Sequence, residues 1–595
     1  MLASAIVVAF LGARIAGVGA LPATFQDLIV RGNIMSEANS TYHNPVLPGW
    51  HSDPSCVHVK GVTYCCTSTF ESFPGMPIYA SRDLVHWEHI SNTWNREDQL
   101  PGINFESQGQ QDGFFAPNLR YRDGRFYMTS VYAGVNTTSG LLGTVFSTSD
   151  PYSDAAWSKP LTFDAPYRTI DPDLFWDDDG STYLTWSGVA LQPIDLSSGV
   201  LGDKLSIWNG TGGIFAEGPH MYKKDGYYYL LAAEGGTQLG HMATMARSKD
   251  LRGPYESDPA NPLITAVNTT SLFQTVGHAD LFQDDNDNWW GMALGTRSGP
   301  EYSHFPMGRE AHLFPVTWAK NEFPHTSPVS GTMEGWPLPD VKLPKKQQDD
   351  ALVGASQSLS FAPGSKLPKN LMYFRYPPKN AFVVSAAGHP NALQVWLSRS
   401  NLTGDQASTD SALTGVAGLS FLGRRQEHTL FHFSVELCLE TQQAGVEAGA
   451  TLFLQQWQHL DVGAIRSDRG DSTYDLVFRT TNATSVEEKI SIKTTEDKIE
   501  MALKANAVNS THYLLAATVK EGTQTGATYE RFVSSALISS TWGPQAGSGA
   551  GGQVGIYATT NGGAATSDHA YFSNWKYHGL AQEIDYGTYY ADIYA

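Results

Sequence analysis

Positive charge is scarce in this chain. Its 595 residues carry 39 Lys and Arg against 59 Asp and Glu, a net charge of −20 at pH 7. Such an excess of acid argues against nucleic acid or an anionic membrane as partner. Charge of either sign is sparse as well, at 16% of residues, whereas aromatics reach 12% and Gly and Pro are plentiful. That balance excludes a disordered chain and disfavours a helical bundle. It fits an all-β protein with many turns, long enough for a large catalytic domain and a second one. Long apolar runs are missing too. The one at the start, "MLASAIVVAFLGA", is too short to span a bilayer; with Val18-Gly19-Ala20 behind it, it reads as a signal peptide over residues 1–20. Seven N-x-Ser/Thr sequons, at Asn39, Asn136, Asn209, Asn268, Asn401, Asn482 and Asn509, fit the secreted, extracellular glycoprotein this implies.

Cysteine is nearly absent. The four present are Cys56, Cys65, Cys66 and Cys438, and no Cys or His cluster has zinc spacing. A hairpin turning at Lys60-Gly61 sets Cys56 opposite Cys65, where a disulfide and buried free thiols both fit. There is no nucleotide-binding glycine loop between strand and helix, and no serine-nucleophile elbow. The acidic run Asp177-Asp178-Asp179-Gly180 lacks the ligand spacing and closing Glu of a calcium loop, so it reads as a solvated turn.

What the chain does have is a repeat. Five segments share a short strand, a tight polar turn and an aromatic-rich strand: PSCVHVKGVTYCCTS, PNLRYRDGRFYMTSV, PDLFWDDDGSTYLTW, PHMYKKDGYYYLLAA and ADLFQDDNDNWWGMA. Their turns centre on Gly61, Gly124, Gly180, Gly226 and Asp287-Asn288, and Asp-Gly between β-formers is a strong hairpin signal. Hairpins about 45–65 residues apart match the four-stranded blades of a β-propeller. Five of them predict a five-bladed β-propeller.

Counting back from each turn finds the candidate site. Asp53 lies eight residues before Gly61, Asp171 nine before Gly180, Glu217 nine before Gly226 and His278 nine before Asp287; in the second repeat the place falls at Phe115-Ala116. Asp53 alone, ahead of Pro54, is an ordinary turn residue. Equivalent positions in radial blades, however, converge on one end of the central channel, and a turn role does not predict that three carboxylates and an imidazole meet there. Carboxylates crowded into a partly dry hollow cannot all stay ionised, so one becomes a proton donor. A base and an acid on either side of a bond are what glycoside hydrolysis needs.

At this point the sequence resembles glycoside hydrolase family 43, through "NPVLPGWHSDPS", "STFESFPGMPIYASRDLVHW", "FFAPNLRY", "IDPDLFWDDDG", "AEGPHMY" and "QTVGHADL" in that order. The resemblance implies an inverting enzyme that needs no cofactor, with Asp53 as general base, Glu217 as general acid and Asp171 orienting the acid and raising its pKa. It implies that His278 stands at the pocket floor near a water or an ion such as calcium, and that Arg297 contacts substrate hydroxyls. No metal ligand set is certain. Phe70, Phe115 and Trp186 are candidates to stack on sugar, with core packing the competing role. Phe115 and Asn118 stand where many relatives carry Trp and Asp.

The propeller is expected over residues 21–342, a polar linker "LPKKQQDD" within 343–352, and a second domain over 353–595. There, "NALQVWLSRS", "HTLFHFSVELCLE" and "ATLFLQQWQHLDVGAI" alternate apolar and polar residues as strands of a β-sandwich. "FLGRRQEHT" resembles the jelly-roll-like domain that follows the propeller in the family's xylosidases and arabinofuranosidases. Such a domain can lend the rim a loop, for which the segment around Trp542 is the candidate. The expected substrates are arabinoxylan or xylo-oligosaccharides, the expected activity removal of terminal α-L-arabinofuranosyl or β-D-xylosyl units, leaning to the former. A non-catalytic carbohydrate-binding propeller, a protein scaffold and a retaining fructosidase are the alternatives; the last usually reads Asp-Pro-Asn-Gly where this chain has Asp53-Pro54-Ser55-Cys56.

Overall fold

The computed structural model describes residues 29–30, 41–107, 109, 112–339, 352–469, 473–494, 498–521, 524–539 and 550–591. The expected signal peptide, Asn39, nearly all of the expected linker and Trp542 lie outside them. The architecture is all-β, a five-bladed propeller followed by a two-sheet sandwich.

Each repeat is the inner hairpin of one blade. The first strands are Ser55–Val59, Gly113–Arg122, Asp173–Trp176, Glu217–Lys224 and Phe273–Gln283, in blades 1 to 5. Lys60-Gly61, Asp123-Gly124 and Asp225-Gly226 have positive φ at both residues, the two-residue turn whose twist suits a hairpin. Cys56 pairs with Cys65 in the first hairpin and the two form a disulfide, while Cys66 stays a buried thiol. Aromatic clusters fill the gaps between blades, such as Trp94, Phe114, Phe146 and Trp157 between the first two. The ring is closed by the chain's early residues: Thr41–His43 pairs with Thr332–Glu334, and the Asn44 side chain both donates to Leu313 O (2.9 Å) and accepts from Leu313 N (2.9 Å).

The sandwich packs a ten-stranded against an eight-stranded sheet. Along Leu430–Glu440, the alternate residues Phe431, Phe433, Val435, Leu437 and Leu439 face the core, the period of two expected of a half-buried strand. Two short strands cross the expected domain boundary. Ile29–Val30 pairs in parallel with Tyr589 and Tyr590, and Ser72–Phe73, from a top loop of blade 1, pairs with Tyr373–Phe374. The sandwich is therefore stitched onto blade 1.

Candidate active site

Four of the five first strands are entered through a residue followed by proline: Asp53-Pro54, Ala116-Pro117, Asp171-Pro172 and Gly218-Pro219, with His278-Ala279 in the fifth. All five of these entry residues have left-handed backbone, φ +54°, +28°, +57°, +53° and +44° in that order. Asp and His tolerate this conformation better than most residues. At Gly218 a side chain is also excluded by space, because a Cβ there would lie 2.7 Å from His278 Nε2. The kink turns each entry residue into the channel mouth. It also corrects the register obtained by counting from the turns: Gly218 is the equivalent of Asp53 and Asp171, and Glu217 stands one residue ahead, where blade 2 has Phe115.

The three carboxylates have different surroundings. Asp53 is 5% exposed, accepts from Ser68 Oγ at 2.6 Å and is paired with Arg309 Nη1 at 2.7 Å. Burial pushes its carboxyl up, but Arg309, then the nearby His278 and Ser68, outweigh burial and hold it below the usual carboxylate range. Glu217 is half-buried and makes no side-chain hydrogen bond or ion pair to a described residue. Burial and then the Asp53 charge push it up to about 7. Asp171, 2% exposed, accepts from the Gly218 N–H at 2.8 Å; burial and then the charge of Glu217 push it well up. Asp53 is thus the one carboxylate of the three held toward its ionised form, whereas Glu217 and Asp171 are both pushed toward the protonated form.

His278 is 5% exposed, and its Nδ1 lies 3.7 Å from Asp53 Oδ1. Burial lowers its pKa to about 4, so the ring is neutral. Among the described residues there is no group of three or more His, Cys, Asp or Glu able to hold a metal ion, and Asp53, its carboxylate neighbour, is taken by Arg309 and Ser68. The calcium expected near His278 has no ligand set here.

Phe70 and Phe115 do come together beside Asp53, with ring centroids 5.0 Å apart, and the Arg309 guanidinium lies 5.7 Å from the Phe70 ring. Phe70 is 4% exposed and stacks on Trp50 at 6.0 Å, so it backs the wall, whereas half-buried Phe115 reaches its surface. Two expectations fail. Trp186 is fully buried among Val131, Phe163 and Leu184 between blades 2 and 3, and cannot reach a sugar. Arg297 grips Glu310 through Nε (3.0 Å) and Nη2 (2.8 Å), and its Nη1 reaches Thr429 Oγ1 (2.6 Å), Gln582 Oε1 (3.0 Å) and Glu583 O (2.9 Å) of the sandwich. It clamps the domains together rather than binding substrate.

Arg309 was missed in the sequence. The second and third strands of a blade meet at the channel mouth, so Arg297, closing one, and Arg309, opening the next, both belong there; only Arg309 turns inward. Also missed was the sandwich's support of the wall: Arg425 Nε donates to Trp50 O at 2.7 Å, with its guanidinium 5.6 Å from the Trp50 ring. A second polar ring lies two residues further along the same strands, at Ser55, Asn118, Asp173, His220 and Asp280. Arg120 fills its middle, 2.6 Å from Asp173 and 2.8 Å from Asp280.

Two carboxylates in contrasting surroundings, one paired with a guanidinium and one unpaired among the described residues, facing one channel mouth from separate propeller blades, are the arrangement of a glycoside hydrolase. Comparison with known proteins gives the family. Residues 42–324 match the model of glycosyl hydrolases family 43, and residues 361–578 that of the beta xylosidase C-terminal concanavalin A-like domain. The non-reducing end alpha-L-arabinofuranosidase BoGH43B of Bacteroides ovatus is 30% identical over 542 residues, 90% of this chain and 94% of that protein. A xylosidase/arabinosidase of Butyrivibrio fibrisolvens is 31% identical over 71% of this chain and 80% of its own. The crystal structure of xylan beta-1,4-xylosidase from Bacillus halodurans superposes with a TM-score of 0.77 at 26% identity, covering 90% of this chain and 99% of that one. The chain belongs to glycoside hydrolase family 43.

Proposed function

We propose that this enzyme is a secreted, inverting exo-glycosidase that releases terminal pentose residues from arabinoxylan or xylo-oligosaccharides, with α-L-arabinofuranosyl preferred over β-D-xylosyl. The observation that carries the reading is the contrast between Asp53 and Glu217 at one channel mouth: Asp53 is held by Arg309 and Ser68, and Glu217 has no side-chain partner among the described residues. Asp53 takes a proton from a water, which attacks the anomeric carbon from the face opposite the leaving group. Glu217 gives its proton to the glycosidic oxygen as that bond breaks. Asp171 acts through the acid: it accepts from Gly218 N and so fixes the residue next to Glu217, and burial and then the charge of Glu217 push its own carboxyl well up. Phe115 faces the bound sugar ring.

The arabinofuranosyl preference is supported by the relative that matches nearly the whole chain, whose name carries that activity. Secretion is supported by the apolar N-terminus, by the Cys56–Cys65 disulfide, and by exposed sequons at Asn136, Asn209, Asn268, Asn482 and Asn509. Rates on paired arabinofuranosyl and xylosyl chromogenic substrates test the preference, and a faster xyloside reverses it. Proton NMR of the first anomer released tests inversion. Sugar binding without turnover of either pentoside sinks the enzyme reading altogether.

A further inference from the structure

Among the described propeller residues four large apolar side chains are more than 60% exposed, and three of them sit just ahead of Asp171 and Glu217. Tyr167 is 68% exposed, Ile214 67% and Phe215 74%. Scattered exposed hydrophobics need no explanation. Ile214 and Phe215 are different, because the backbone of their loop is held in place by a buried carboxylate. The loop carrying Ile214 and Phe215 wraps around Glu234, a carboxylate 1% exposed at the end of blade 4's second strand. Glu234 accepts from Thr211 N (2.8 Å), Thr211 Oγ1 (3.0 Å), Gly213 N (3.0 Å) and Thr244 Oγ1 (2.6 Å). The fit is close: a Cβ on Gly210 or Gly213 would come within 2.8 or 2.9 Å of that side chain. Gly235 N donates to Ile214 O at 2.8 Å and Gly188 N to Ala216 O at 2.6 Å, fixing the far side of the loop. Phe215 itself is held at φ +49°, a strained conformation for a bulky residue. Such anchoring presents a phenyl ring to solvent two residues from Glu217.

We propose that Ile214 and Phe215, with Tyr167 on the neighbouring blade, form the platform for the sugar on the leaving-group side of the scissile bond. The inference rests on the pentosidase reading and deepens it. Glu217 delivers its proton to the leaving oxygen, so the surface beside Glu217 is where the departing saccharide lies. The sandwich covers blades 1 and 5 through Trp50, Arg297 and Gly308 and touches the loop into blade 2 at Gly109; among the described residues it makes no hydrogen bond to blades 3 and 4. The occupant has the matching chemistry: pyranose rings offer a flat C–H face that stacks on aromatic side chains. Arg168 lies 5.3 Å from the Tyr167 ring on the same loop, leaving a guanidinium for sugar hydroxyls.

The test separates leaving-group binding from chemistry. Phe215→Ala is compared with the unchanged protein on a pentose-bearing xylo-oligosaccharide and on the matching pentosyl fluoride, which has no leaving-group sugar. The platform predicts a fall in kcat/KM of roughly three- to tenfold on the oligosaccharide, no more than about twofold on the fluoride, and recovery in Phe215→Trp. Equal losses on both substrates, or none on either, overturn it. A second arm needs no turnover. In the Asp53→Asn background, calorimetry should show the oligosaccharide Kd weakened roughly three- to tenfold by Phe215→Ala and that of the free pentose unchanged. An unchanged oligosaccharide Kd overturns the platform, whereas failure of the parent protein to cleave any pentoside overturns the pentosidase reading instead.

Discussion

The channel carries two polar rings on the same five strands, two residues apart, and they behave in opposite ways. In the lower ring Asp173 and Asp280 share Arg120, and Asp280 also accepts from Ser55 Oγ at 2.8 Å and Tyr222 OH at 2.7 Å. Burial pushes Asp280 up, but Arg120 and then His220 override it and hold it far below the usual range. In the upper ring Asp53, Asp171 and Glu217 face Arg309, which contacts Asp53 alone of the three. Asp171 and Glu217 have no cation in contact among the described residues, and burial pushes both carboxyls up. Residue type does not decide which buried carboxylate is held low and which is pushed up; direct contact with a guanidinium, set against burial, does.

The largest effect should come from breaking the upper ring at its base. Asp53→Asn is expected to lower kcat/KM by about 10²–10⁴-fold while leaving sugar binding intact. It also removes the charge that helps raise Glu217 and leaves Arg309 facing it, so Glu217 should titrate below its present value of about 7. Glu217→Gln should cost a similar factor on natural linkages and far less on substrates with activated leaving groups, which need no proton. Rate comparison across leaving groups checks this.

Breaking the lower ring should act on folding rather than on chemistry. Arg120→Met takes the guanidinium from two buried carboxylates and should destabilise the protein by about 3–5 kcal/mol, read from denaturant unfolding, with the remaining folded enzyme still active. The rings also differ in the sign of their pH dependence. Asp280, held low, contributes stability above its ordinary value of 3.8 that is lost as pH falls through the depressed one. Glu217, held high, contributes stability that is complete below its ordinary 4.5 and lost as pH rises through about 7. Thermal melts from pH 4.5 to 7 should show that second decline vanish in Glu217→Gln.

The smallest expected change concerns Arg297. Arg297→Lys breaks its two-point grip on Glu310 and weakens the tie to Thr429, so the melting temperature should fall while KM moves less than about threefold. A large rise in KM with unchanged stability would return Arg297 to the substrate pocket.

Much of this was legible before any coordinates. Polar turns between β-rich runs marked five hairpins, and radial repetition brought Asp53, Asp171 and Glu217 together. The one-residue offset of Glu217 was written in the prolines, since Pro54, Pro172 and Pro219 mark the kink more faithfully than turns whose loops differ in length. The lower ring could have been found the same way, as the first residue after each proline: Ser55, Asn118, Asp173 and His220. Arg309 and Arg297 were indistinguishable in sequence because both end strands at the channel mouth, and which side they face is set by packing against the sandwich. Trp186 failed for a related reason: whether a strand-end aromatic meets a ligand or the next blade depends on the angle between blades, which a single strand does not encode.

The central claim is that Glu217 holds the catalytic proton, because burial and then the charge of Asp53 raise its carboxyl. It is tested most directly by the pH dependence of kcat/KM, with a poor leaving group for the parent enzyme and an activated aryl pentoside for Glu217→Gln. The parent should lose activity above about pH 7, and the variant should keep its acid limb but show no such alkaline decline. An alkaline limb near pH 7 that persists in Glu217→Gln would contradict the assignment.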